Sequence, residues 1–263
     1  MKKRIIGGAI ICALIIPCFI IKTPIVFDIL ACIVGVLAMY ELINANKHLN
    51  KMPNMLKALS LICVPLMAFL NLNGSFYMGI ELLSLVIPIL LLWLPSLILH
   101  KKGYGSTEAF ITIMTGLLIG IITYGFITLF TANRWVLLYL IIIQVGTDVF
   151  AYLGGKVLGK HKFSKISPNK TIEGCVIGSV FGTALGFIYF LKVLQAPNLV
   201  LILFVTLLFS VIGQAGDLLF SLIKRENDIK DFSHIIPGHG GICDRLDSLS
   251  LILLLYIIIF RFL

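Results

Sequence analysis

Asp148, Asp217, Asp244 and Asp247 stand in or at the ends of long apolar runs. A carboxylate in such a run is costly, and it marks a site unless a neighbour satisfies it. Tyr152, at i+4 from Asp148, is a candidate partner of that kind. Asp217, Ser221 and Lys224 are spaced i, i+4, i+7 and share one helix face. Asp244 and Asp247 lie one turn apart, just after Pro237-Gly238-His239-Gly240-Gly241, whose glycines let backbone amides approach a ligand closely. Ser167 and Asn169 offer side-chain hydrogen bonds. Lys170 brings a point charge, and Thr171 is placed to cap the following helix; a helix N-terminus with a lysine forms an anion site. Lys224, Arg225, Lys230 and Arg245 add further cations near Asp231 and the last two acids. Asp217, Asp244 and Asp247, with Asp148 as a further candidate, offer hard oxygen donors suited to Mg²⁺. Cations so close to them fit only if phosphates are also present, so the chemistry expected is metal-assisted work on a polyphosphate. His239 reads equally as a phosphate contact or a solvated loop histidine, and His234 as a loop residue.

The elements that must position these groups are membrane helices. Of 263 residues, 59% are hydrophobic and 13% charged, against about 45–50% and about 25% in a soluble domain. This argues against a secreted enzyme, a cytosolic dinucleotide-binding protein and a nucleic-acid-binding domain. With roughly 20 apolar residues needed per crossing, the chain reads as an all-α polytopic membrane protein. About nine spans are expected, near 4–21, 24–43, 55–72, 78–99, 109–131, 135–155, 172–191, 198–223 and 242–262. The first follows Lys2-Lys3-Arg4 without a small-x-small cleavage pattern and is read as a retained anchor. With the N-terminus in the cytoplasm, 17 Lys and Arg fall on the inner side and 4 (Lys22, Arg134, Lys192, Arg261) on the outer, as the positive-inside rule requires. The formal charge of +9 is then mostly a topology signal, and no nucleic-acid partner is implied. Starting the last helix near Ile242 makes it long enough to cross and puts Asp244 and Asp247 in its first turns.

Polar chemistry concentrates in the second half. The expected organisation is a motif-poor region, 1–140, and a catalytic membrane region, 141–263, with two cytoplasmic loops at 156–171 and 224–245. The stretch from Gly154 to His161 nearly matches a phosphate-binding Walker loop, but it ends in His161 where a hydroxyl is needed and follows a membrane helix rather than a strand. What remains there is a lysine-rich inner loop suited to anionic headgroups. Five cysteines (Cys12, Cys18, Cys32, Cys63, Cys175) lie in apolar runs and Cys243 in a polar loop, without metal-type spacing. They read as small hydrophobes.

Ser221-x-Ile223-Lys224-Arg225-x4-Lys230-Asp231-x-Ser233-x2-Ile236-Pro237-x-His239-Gly240-Gly241-Ile242-x-Asp244-Arg245-Leu246-Asp247 resembles the signature of the phosphatidate cytidylyltransferases (CDP-diacylglycerol synthases). The stretch Asp148-x2-Ala151-Tyr152-x2-Gly155-x3-Gly159-Lys160, continuing through Ser167-Pro168-Asn169-Lys170-Thr171-x-Glu173-Gly174, is similar to the family as well. Lys156 departs from it, since relatives often carry Arg there; a bidentate phosphate contact becomes a point charge. Residues 1–140 match in hydropathy and span count only. The resemblance implies that CTP and phosphatidic acid give CDP-diacylglycerol and pyrophosphate at the inner face of the cell membrane. It further implies a divalent ion on Asp217 and Asp244, a second, monovalent cation, and a homodimer. Asp247 and Asp148 would supplement the metal ligands. Lys170, Lys224, Arg225 and Arg245 would neutralise phosphate charge, and Ser167, Asn169 and Ser221 would donate hydrogen bonds, with Lys230, Asp231 and His239 as further substrate contacts.

Two rivals explain less. A CDP-alcohol phosphotransferase also uses membrane aspartates, but its D-G-x2-A-R…G-x3-D-x3-D pattern is absent. An ion-coupled transporter could use Asp148 and Asp217 as relays, yet it leaves the glycine–histidine loop and the clustered cations without a purpose.

Overall fold

The computed structural model describes residues 13, 16–20, 24–72, 78–100, 103–194, 198–238 and 240–262. Its helices are α1 (Pro24–Ala45), α2 (Asn54–Leu72), α3 (Met78–Leu99), α4 (Ser106–Leu158), α5 (Ile172–Val193), α6 (Leu199–Glu226) and α7 (Cys243–Phe262). Among the described residues the protein is all-helical, with two isolated bridges, Lys162 to Thr171 and Ile236 to Gly240, in its loops. The expected spans from residue 24 onward each coincide with a helix or with half of α4, whereas the span near 4–21 falls largely outside the described residues. By length and apolarity, α1, α4, α5 and α6 qualify as membrane-crossing helices.

At 53 residues, an unbroken α4 would run about 80 Å, far beyond a hydrocarbon core of about 30 Å. The backbone leaves the helical region at Asn133 (φ −159°, ψ 94°). The Asn133 side chain then accepts a hydrogen bond from Trp135 N–H at 3.0 Å, capping the second half as an N-cap residue does. The guanidinium of Arg134 lies 5.2 Å from the centre of the Trp135 ring.

The chain divides into two compact units. One comprises residues 1–131 and 229–244, the other 132–228 and 245–263. The first unit is therefore more than the motif-poor N-terminal region, because much of the signature loop belongs to it. There α2 packs between α1 and α3. Cys32, Ala68 and Ile127 form one core cluster, and Cys63, Leu92 and Ile113 another. Phe27 stacks on Phe130 with ring centres 3.8 Å apart.

The second unit is built on a close helix approach. Gly174, Gly178, Gly182 and Gly186 recur every fourth residue of α5 and are all buried, while Val176, Val180 and Ile188 on its other sides are exposed. This distribution, small inside and large apolar outside, is what lipid selects: with no hydrophobic gain between helices, tight backbone approach and hydrogen bonds hold them together. A Cβ placed on Gly178 would stand 2.7 Å from both Ala151 Cβ and Thr147 O, and one on Gly174 would stand 2.6 Å from Ala151 O. The facing helix is the second half of α4. Several polar side chains of α4, α5 and α6 pair across the bundle. Tyr139 bonds Thr206 and Thr147 bonds Ser210, both at 2.6 Å, and Gln214 donates to Ser179 at 2.7 Å. Gly213 and Gly216 do not break α6, which stays continuous; a Cβ on Gly216 would lie 2.7 Å from Asp247 O. Replacing Gly178 with Val should overpack this seam and cost about 1–3 kcal/mol. The readout is a lower thermal midpoint in detergent, with Val180→Ala on the outer face as the control; equal midpoints would argue against the close approach.

Candidate active site

The loop joining α4 to α5 is held by groups close to it in sequence. Ser167 C=O accepts from Lys170 N–H at 3.1 Å, closing a turn with Pro168 at its second position, where a fixed φ favours turning. Phe163 N–H bonds Lys170 O, and Ile172 N–H bonds His161 O. Glu173 clamps the other side, its carboxylate accepting from the backbone N–H of Lys160 and of His161 and meeting His161 Nδ1 at 2.6 Å. Thr171 caps α5 as expected, accepting from Gly174 N–H at 3.2 Å. Lys170 and Asn169 are thereby fixed at the head of α5.

Below that turn lies a cavity of about 400 Å³. The α4 helix contributes Asp148, Tyr152 and Lys156 to its wall. The turn adds Ser167, Asn169, Lys170 and Thr171, while α5 adds Cys175 and α6 adds Gln214 and Asp217. Lys170 Nζ is 2.5 Å from Asp217 Oδ2, an ion pair with each side chain about one-quarter exposed. Ser221 Oγ sits a turn further along α6, 3.4 Å from Asp217 Oδ1. Asp148 is held by Gln144, four residues earlier, whose Nε2 donates to Oδ2 at 2.7 Å. Tyr152, the expected partner four residues later, is instead 69% exposed; i−4 and i+4 lie on the same helix face, and the polar amide took the position.

Charge reaches beyond direct contact. Asp217, Lys170 and Arg245 act electrostatically on Asp148, and Asp217, Asp148 and Lys224 act on Asp247. Asp148, Asp217 and Asp247 thus share one electrostatic cluster with Lys170, Lys224 and Arg245 in this unit. Of the expected site residues, Asp148, Ser167, Asn169, Lys170 and Asp217 share the cavity wall. Ser221 and Lys224 are buried on α6, Arg225 and Arg245 are exposed, and Asp247 is half-buried, accepting from Ser248 N–H at 2.8 Å.

Among the described residues, no three His, Cys, Asp or Glu side chains are grouped to hold an ion alone. The donor set still fits Mg²⁺. That ion commonly takes one or two carboxylates and completes its shell with water and substrate phosphates, and Asp148 and Asp217 open on one cavity.

Lys230, Asp231 and Asp244 belong to the other unit. Lys230 and Asp231 are exposed, and Asp244 is buried. His239 lies outside the described residues. Asp244 Oδ2 accepts from Phe232 N–H at 3.0 Å and from Gly241 N–H at 2.9 Å. Gly240, at φ +82°, turns the chain in a conformation L side chains rarely adopt. Helix α7 begins at Cys243, as its expected start near Ile242 requires. Cys243 is buried at the helix start rather than in a loop, and its thiol bonds Ala38 O. The described cysteines Cys18, Cys32, Cys63, Cys175 and Cys243 are free thiols.

Three residues that shape these sites were not singled out from sequence for any role: Gln144, Glu173 and Glu41. Gln144 was visible as a lone amide one turn before an intramembrane acid. Glu41 accepts from Ser233 Oγ, Ile242 N–H and Cys243 N–H, contacts that no local pattern announces.

The chain matches the Cytidylyltransferase family over residues 2–263. It is 34% identical over 255 residues to the phosphatidate cytidylyltransferase of Bacillus subtilis (strain 168), covering 94% of this chain and 93% of that one. It is 35% identical over 258 residues to the phosphatidate cytidylyltransferase of Staphylococcus aureus (strain COL), covering 96% of each. The phosphatidate cytidylyltransferase of Staphylococcus haemolyticus (strain JCSC1435) is 32% identical over 255 residues, again with 96% of each chain covered. A match that runs the length of the chain, with relatives of one name aligned nearly end to end, places the chain in the cytidylyltransferase family.

Proposed function

We propose that this chain is a phosphatidate cytidylyltransferase. A phosphate oxygen of phosphatidate attacks the α-phosphorus of CTP in line, the bond from the α-phosphorus to the bridging oxygen breaks, and pyrophosphate leaves as CDP-diacylglycerol forms. The observation that carries the reading is the cavity in which Lys170 meets Asp217 beside Asp148, on residues that fit the family's pattern. A phosphate monoester is already largely ionised near neutral pH, so no strong general base is needed. The work left to the protein is positioning and charge stabilisation.

In this reading Lys170, Lys224, Arg225 and Arg245 neutralise phosphate charge, and Ser167, Asn169 and Ser221 donate hydrogen bonds. The family pattern adds Lys230, Asp231 and His239 as substrate contacts. Asp217 and Asp148 would hold Mg²⁺, which when bound supplies further charge neutralisation on the triphosphate. The family pattern also gives Asp244 to metal and leaves Asp247 to orient the acids; a second, monovalent cation and a homodimer rest on that pattern alone. The 17-to-4 distribution of Lys and Arg supports about nine spans in the inner membrane, with the N-terminus, the cavity mouth and the loops at 156–171 and 224–245 in the cytoplasm. Phosphatidate would then enter sideways from the inner leaflet and CTP from the cytoplasm.

Purified protein in detergent, given phosphatidic acid, labelled CTP and Mg²⁺, should form CDP-diacylglycerol and pyrophosphate, and EDTA should stop it. Absence of product from folded, lipid-supplemented protein would overturn the assignment. Asp217→Asn should abolish turnover with its thermal midpoint nearly kept, and Lys170→Met should lower kcat/KM by about 100-fold or more, the cost of losing one transition-state charge contact. Full activity in folded Asp217→Asn would remove that carboxylate from the metal. For topology, Arg134→Cys should react with an impermeant maleimide from outside the cell, and Lys165→Cys only after permeabilisation; the opposite pattern would invert the orientation.

A further inference from the structure

Glu41 sits in the middle of the region that carries no motif, yet it is 1% exposed and all its described partners lie in residues 233–243. Oε1 accepts from Ser233 Oγ at 2.5 Å and from Ile242 N–H at 2.9 Å; Oε2 accepts from Cys243 N–H at 2.8 Å. Ile242 and Cys243 open α7, where backbone N–H groups have no partner inside their own helix. A carboxylate there is favoured by the positive end of the helix dipole as well. Glu41 is therefore a helix cap supplied by a distant helix. Gly241 is shaped to receive it, since a Cβ there would stand 2.5 Å from Glu41 Oε2 and 2.8 Å from its Cδ. Immediately beside it, Asp244 takes the N–H of Phe232 and of Gly241. Two carboxylates thus divide four backbone N–H groups and one hydroxyl between them, and together these bonds define the path of the signature segment 232–244. Among the described residues, Glu41's own bonds are all to neutral donors.

The geometry points to Glu41 as a positioning residue for cytidylyl transfer, one that sets the signature segment and the start of α7 without touching substrate. This rests on the reaction proposed above. Glutamine is nearly the same size but has only one acceptor atom; its NH₂ would face either the Cys243 N–H or the pair of donors at Oε1. A buried donor left unpaired by such a change costs more than the bond it replaces.

The test compares wild type, Glu41→Gln and Ser233→Ala in detergent, reading kcat and KM per folded enzyme, the thermal midpoint, and deuterium uptake of peptides covering 232–247 and 144–155. Glu41→Gln should lower kcat by about 100-fold, the penalty of a small misplacement of catalytic geometry. Uptake should rise in 232–247 and not in 144–155, with the midpoint shifted by only a few degrees. Ser233→Ala removes one donor while leaving the amides capped, and should lower kcat by about fivefold. It decides the matter if Glu41→Gln does not accumulate. Wild-type kcat in either folded variant would overturn the proposal. So would a fall in midpoint with unchanged kcat per folded molecule, which is the mark of a merely structural residue. If wild type itself makes no CDP-diacylglycerol, the reaction fails instead, and the uptake of 232–247 still reports whether Glu41 sets that segment.

Discussion

Everything in the second unit depends on two helix backbones coming into near contact. In lipid, side chains gain nothing by leaving one apolar surface for another, so large residues on facing helices would hold them apart without reward. Four glycines along one face of α5 remove that obstacle. The second half of α4 settles against them, and the polar pairs Tyr139–Thr206 and Thr147–Ser210 close within reach on the adjoining helices. The same approach carries Asp148 and Tyr152 to the foot of the turn that bears Asn169 and Lys170. The cavity lies at the loop end of this contact, lined by side chains of α4, α5, α6 and the turn between α4 and α5.

Into that space the sequence places charges that the membrane opposes. A solitary carboxylate in an apolar run is costly, and none of Asp148, Asp217 and Asp247 is solitary. Lys170 answers Asp217, an amide answers Asp148, and the backbone of Ser248 answers Asp247. Lys224 and Arg245 add opposed charge to the same cluster, so its acids are offset by cations rather than left alone. An incoming phosphate or cation therefore meets groups of either sign.

Much of this was legible in the sequence. Apolar run length located the helices from residue 24 onward to within a few residues. Asn133 was legible as a break, and Ser167-Pro168-Asn169-Lys170 carries its turn in its residue types. Asp148, Lys170 and Asp217 were legible because charge in an apolar run needs a reason. The partner of Asp148 was not decided, since both i−4 and i+4 share its face and only packing chooses between Gln144 and Tyr152. The α5 glycine spacing was present to be read, but what it faces is a tertiary fact. Least visible was the membership of residues 229–244 in the unit of the N-terminal helices: a glutamate near the end of an apolar span looks like an ordinary boundary residue until its partners are known.

Those partners are 192 to 202 residues away along the chain. At roughly 5–20 residues per second, the ribosome delivers Cys243 about 10–40 s after Glu41. Throughout that interval α1 is a nascent helix carrying an acid whose eventual donors have not been made. An acid without partners in an apolar helix is costly, so until Cys243 is made α1 carries a group that its own helix does not satisfy. The cap that ties α1 to the start of α7 is thus one of the last contacts of the fold that synthesis makes possible.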